Sequence, residues 1–302
     1  LIIRKILRSL SLVILCLSRS LPVGGQAVIE GVLMKGPERW GLSVRKPDGT
    51  LYTETWPSWK TASGPLYKIP VIRGLLIMFD MLRTGIKALN RSAAVALGDD
   101  ETFGVMEVIT SVSLAVIAVV GLFLLLPVWL SDLGARYLAL NGIWRDVLEG
   151  VSRAAVFIGY IALIGLWNEI DRVFQYHGAE HKTINAFENE AELEPETIST
   201  FSRIHSRCGT SFLLVVVFVS IVIFSFVGDG SIFWRVMSRF ILLPVVIGIS
   251  YEIIRFCSRS GTFGKVVMSP ALSLQFLTTR EPDLSQIEVA VSSLRLALDE
   301  DL

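Results

Sequence analysis

The chain has 302 residues, 52% of them hydrophobic, with a mean hydropathy of +0.58. Few soluble domains are so apolar, so the composition points to a membrane protein. The formal net charge of zero excludes the basic excess of a nucleic-acid-binding protein, and three widely spaced cysteines, Cys16, Cys208 and Cys257, form neither a disulfide framework nor a zinc-ribbon spacing.

Residues 1–22 begin LIIRKILRSLSLVILCLSRS. A basic start and a short apolar stretch resemble a signal peptide without a small-residue cleavage site. The stretch is too short to span a bilayer, so the segment reads as an extension or an interfacial anchor. Residues 23–66 predict a small β-hairpin unit. Two alternating runs in GLSVRKPDGTLYTETW flank Pro47-Asp48-Gly49, where proline sets φ and glycine permits positive φ. The preceding GGQAVIEGVLMKGP is glycine-rich but lacks the spacing and Lys-Ser/Thr ending of a phosphate-binding loop.

Residues 67–106 predict amphipathic interfacial helices. Leu76, Phe79, Leu82, Ile86, Leu89 and Ala93 recur at steps of three and four, beside a basic stripe of Arg83, Lys87 and Arg91. Such a helix suits either a bilayer surface or a packed face. Residues 107–256 predict a membrane domain of about four transmembrane helices. Two candidates are free of charge, Val108 to Ser131 over 24 residues and Cys208 to Gly228 over 21. Two are less clean. One needs Glu149 and Arg153 as an interfacial pair, and the other, Ile232 to Phe256, needs Arg235 and Arg239 to snorkel. Two spans plus two re-entrant segments is the alternative. Residues 257–302 predict a cytoplasmic C-terminal segment whose Ile287, Val291, Leu294 and Leu298 mark an amphipathic helix. The expected fold class is thus mainly α and polytopic.

Basic residues near the helix ends number nine on one face and five on the other, Arg136, Arg145, Arg153, Arg235 and Arg239 forming the smaller set. The positive-inside rule then puts both termini and the 169–207 loop in the cytoplasm, in the cytoplasmic (inner) membrane.

All three histidines, His177, His181 and His205, fall within 29 residues on that face. His177 and His181 are four apart, so they share one helix face and can bind one ion, and Glu180 completes a His-x-x-Glu-His string. In that pattern two imidazoles hold a divalent metal, zinc above all, and the glutamate is the catalytic base. A third ligand comes from His205, Cys208, Glu188, Glu190, Glu192 or Glu252. Cys208 heads an apolar helix, where the N-terminus favours a thiolate. Cys208 with His205 as a nucleophile pair is a rival chemistry. Arg203 and Arg207, beside the same helix, suit a phosphate or serve as positive-inside charges.

GGQAVIEGVLMKGP, YHGAEHKTINAFE, RIHSRCGTSF, GISYEIIR and LTTREP together resemble the YqhQ-like family, domain of unknown function 1385, over about Val23 to Leu298. Ser206 stands where that family usually has proline, and Lys35 where it often has arginine. The resemblance implies a bacterial integral membrane protein, sometimes labelled a predicted metal-dependent enzyme, with His177, Glu180, His181, His205 and Cys208 as the residues of interest. It implies no substrate. The expected function is a metal-dependent hydrolase of a membrane peptide, protein or lipid. The alternative is a non-catalytic scaffold with a structural metal or a docking site. The bilayer is the expected partner, with a membrane protein as partner or substrate and no nucleic acid.

Overall fold

The computed structural model describes residues 23–58, 65–98, 104–140, 142–205, 208–227, 231–258 and 260–299. The N-terminal extension and Arg207 lie outside them.

The β unit is a four-stranded antiparallel meander, not a single hairpin: β1 Gly24–Val28, β2 Gly31–Lys35, β3 Arg39–Arg45 and β4 Leu51–Pro57. The β3–β4 turn forms at Pro47-Asp48-Gly49 as expected, with Asp48 Oδ1 accepting from Thr50 N at 2.9 Å and Gly49 at φ 84°. The β1–β2 turn is made by Ile29 and Glu30, and Glu30 takes φ 50° without an Asn-Gly or Asp-Gly signal. That is why the sequence hid the first hairpin.

Alternation sends Val28, Leu33, Trp40, Leu42, Val44 and Trp56 to one face of the sheet. There they pack on Ala88 and Val95 of α1 (Ile72–Leu97). The outer side of α1 leaves Phe79, Leu82 and Leu89 exposed beside Arg83. Val32 and Met34 face the other way, onto α4 (Asn168–Glu188) and the C-terminal helix α10 (Leu284–Leu298). Asp283 starts α10 with a capping box closed by Gln286. At Gly41 an added Cβ would lie 2.5 Å from the Ser293 carbonyl oxygen, so only glycine lets α10 come this close to β3.

Three helices are long and apolar enough to cross a membrane: α2 (Val105–Leu138), α3 (Ile143–Ile164) and α7 (Ile232–Cys257). The apolar α6 (Gly209–Ser225) has 17 residues, about 25 Å at 1.5 Å per residue. One of the two charge-free candidates is therefore the short helix, and the other is long, as are both charge-bearing candidates. The short α5 (Pro195–Ser199) follows α4, and α8 (Gly261–Ser273) and α9 (Gln275–Thr278) lead from α7 towards α10.

Arg235, Arg239, Glu149 and Arg153 do not snorkel: all four are buried where the bundle helices meet. Glu149 accepts from Arg235 Nη2 at 2.6 Å, Arg153 Nη2 at 2.8 Å and Arg239 Nη2 at 3.0 Å. Arg153 also explains an irregularity in α2. Pro127 has no N–H to give the Phe123 carbonyl, and the helix widens to a π turn over Gly121–Leu125. Arg153 Nε donates to that oxygen at 3.1 Å. Bundle packing decides the outcome, since it offers each guanidinium a carboxylate, a hydroxyl or a carbonyl inside the bundle.

Candidate metal centre

Helix α4 leaves the apolar helix bundle after Trp167, with Glu169 and Asp171 in its first turn where the helix dipole favours them. Its histidine face is covered by two segments. Chain 278–281 runs alongside: Arg280 N donates to Phe174 O at 2.9 Å, and Lys182 Nζ pairs with Glu281 at 3.0 Å. The 199–205 loop closes the other side, with Lys182 donating to the Ser199 and Phe201 carbonyls at 2.8 Å and Asn185 to Ser202 O at 2.7 Å. Gly178 makes the first contact feasible, because a Cβ there would sit 2.0 Å from Arg280 O. Gly178→Ala is expected to push chain 278–281 away and cost about 1–3 kcal/mol, measured as a lower unfolding temperature of the detergent-purified protein.

His177, His181 and Cys208 each offer one ligand atom, all within 4.8 Å of one another. Helix α4 supplies the imidazoles and the N-cap of α6 supplies the thiol. His177 Nδ1 donates to the Thr278 carbonyl at 2.7 Å, and His181 Nδ1 to the Arg203 carbonyl at 2.6 Å. A carbonyl only accepts, so both rings carry the proton on Nδ1 and turn a lone pair on Nε2 inward. His177 Nε2 lies 3.2 Å from Cys208 Sγ. His181 Nε2 is buried with no hydrogen-bond partner. Burial pushes the His181 pKa down, helped by the neighbouring His177 ring, so the neutral ligating form is favoured. An orphaned imidazole nitrogen, a second aligned imidazole and a thiol fit a zinc-like ion, whose N and S ligands bond at about 2.0–2.3 Å.

Glu180 lies on the flank of the histidine face, fully buried against β1, and accepts a hydrogen bond from Gly25 N–H. Burial pushes its pKa up; the His177 and His205 imidazoles and the Gly25 N–H oppose that shift. His205 is buried with its ring centroid 5.8 Å from that of His181, but its Nε2 meets Glu188 at 3.4 Å and it is not in the triad. Glu190 and Glu192 are exposed. Glu252 is engaged elsewhere, paired with Arg73 and accepting from Val71 N at 3.4 Å. Arg203 gives its carbonyl to His181 and its Nη1 to Thr279 O at 2.8 Å.

Sequence reasoning missed the supports. Thr278 orients His177. Gln275, fully buried, holds the His205 backbone at both ends, at 2.9 Å and 2.7 Å. Thr210 places its hydroxyl 3.0 Å from Cys208 Sγ. The LTTREP string carried the only signal for this region, since backbone carbonyls leave no residue-type signature.

The family model for a protein of unknown function, DUF1385, matches residues 69–300. The Bacillus subtilis (strain 168) protein described as "Uncharacterized protein YqhQ" is 34% identical over 287 residues, covering 89% of this chain and 90% of its own length. No solved structure matches. With the match spanning most of the chain, the protein belongs to the DUF1385 family.

Proposed function

We propose that the protein is a multi-pass membrane protein of four spans that holds a divalent metal, zinc by ligand chemistry, on His177, His181 and Cys208 at the cytoplasmic face. The buried, partnerless Nε2 of His181 carries this reading. Three protein ligands are one fewer than a closed structural zinc site uses, which supports a catalytic site. A metal in such a set supplies Lewis acidity and an activated water for hydrolysis. Thr278 and Arg203 orient the imidazoles, Thr210 holds the thiol, and Glu180 is the proton acceptor. Because Cys208 heads apolar α6, the site lies at the bilayer surface, within reach of a membrane peptide, protein or lipid.

One observation favours a second reading, a non-catalytic scaffold. The triad joins α4, which packs on the sheet and α10, to the first turn of α6. A metal there would staple the sheet-bearing body to the membrane bundle.

Elemental analysis and complementation separate the two. Protein purified in detergent is expected to carry about one equivalent of zinc or a similar ion. Glu180→Gln is expected to retain the metal and normal membrane levels yet lose function. A metal-loaded Glu180→Gln protein that complements fully would remove the hydrolase reading and leave the scaffold.

A further inference from the structure

The five basic residues that the sequence places at the far ends of the helices converge on one network there. α6 begins at the metal site and Ser220, 12 residues beyond Cys208, lies about 18 Å further along the helix. Its Oγ receives Arg153 Nη1 at 2.8 Å. At the rim of this network one carboxylate faces three guanidiniums. Asp132 pairs with Arg136 at 2.8 Å and with Arg145, and Arg235 Nη1 stands 3.8 Å away. Arg235 is 2% exposed, and that Nη1 has no hydrogen-bond partner.

Charge does not balance. Among the described residues the network holds five guanidiniums against Asp132, Asp146 and Glu149. Asp229, outside the described residues, is the one further acid in the connecting segments, and counting it still leaves a positive excess. A buried guanidinium with an unmet donor is costly, and a planar fork of N–H groups matches two oxygens of a phosphate. Depth selects the same chemistry. Trp129, Tyr137, Trp144 and Trp234 are all exposed at this end, the belt that marks headgroup level, where phospholipid phosphates lie. Arg136, 77% exposed at its side chain, opens the rim to that layer.

We propose that the rim formed by Arg136, Arg145 and Arg235 around Asp132 binds a phosphate group. The phosphate comes from a lipid headgroup or from solution. The site is independent of the metal reading and stands or falls without it.

The test uses the full chain in non-ionic detergent, followed by thermal unfolding and by binding titrations. The probes are short-chain phosphatidylglycerol and inorganic phosphate. Stabilisation by phosphatidylglycerol alone assigns a lipid, and stabilisation by inorganic phosphate assigns a soluble source. Because Arg136 is largely exposed, Arg136→Gln is expected to fold normally and to bind about tenfold more weakly or worse, the loss of one hydrogen bond to a charged group. Arg83→Gln, on the basic face of α1, is expected to bind as the parent does. No stabilisation by either probe would overturn the proposal. So would unchanged binding by Arg136→Gln, or an equal loss in Arg83→Gln.

Discussion

Replacing His177 and His181 together with alanine is expected to strip the metal from the purified protein, while His205→Ala retains it. The two imidazoles supply both nitrogen ligands of the triad, and a lone thiol cannot hold the ion against a wash with mild chelator. Changes to outer-shell groups alone typically cost about 10–100-fold in metal affinity, so loss of two direct ligands exceeds that range. His205 has a different partner, Glu188, and stands outside the triad. Elemental analysis of the two variants against the parent decides the matter. A His205→Ala protein that loses its metal as fully as the double variant would move His205 into the ligand set.

Glu149→Leu is expected to destabilise the bundle by about 3–5 kcal/mol, the usual cost of removing one partner from a buried ion pair. The position is unusual in that one carboxylate serves three guanidiniums, from its own helix and from α7. Without it Arg153 keeps Ser220 and the Phe123 carbonyl, and Arg235 keeps Ser131. Their charges, however, stay buried and lose their shared counter-ion. Thermal unfolding in detergent and the level of protein in isolated membranes both report the loss. Glu149→Gln preserves the shape and the acceptor oxygen and should fall between the parent and leucine. A Glu149→Leu protein as stable as the parent would show that the arginines find other partners at no cost.

Residue type and spacing made much of the molecule legible. The apolar run from Val108 to Ser131 announced a helix long enough to cross a membrane, because such a helix must present apolar side chains along about 20 residues. Pro47-Asp48-Gly49 announced a turn through local backbone preference. His177 and His181 announced two imidazoles on one face, since i and i+4 coincide on any helix. These are properties of neighbouring residues, and no tertiary contact is needed to state them.

Other features exist only where distant segments meet. Cys208 is one of three scattered cysteines until α6 brings its N-cap to the face of α4, 31 residues back in sequence. His205, closer to Cys208 in sequence than His177 or His181, is turned instead to Glu188. The Thr278 and Arg203 carbonyls that set both imidazole tautomers carry no side-chain signature at all. The same holds for the buried arginines. An isolated helix offers Arg235 and Arg239 only the water at its ends, so snorkelling is what their sequence suggests. The bundle brings Glu149 of α3 to both of them, and an ion pair inside the bundle replaces exposure at its edge. Composition and short-range periodicity decided that this chain carries helices long and apolar enough to cross a membrane and that its histidines lie close together in sequence. Which nitrogens face inward, which sulfur joins them and which charges leave the water were decided by long-range packing, because each depends on a partner supplied by a different helix.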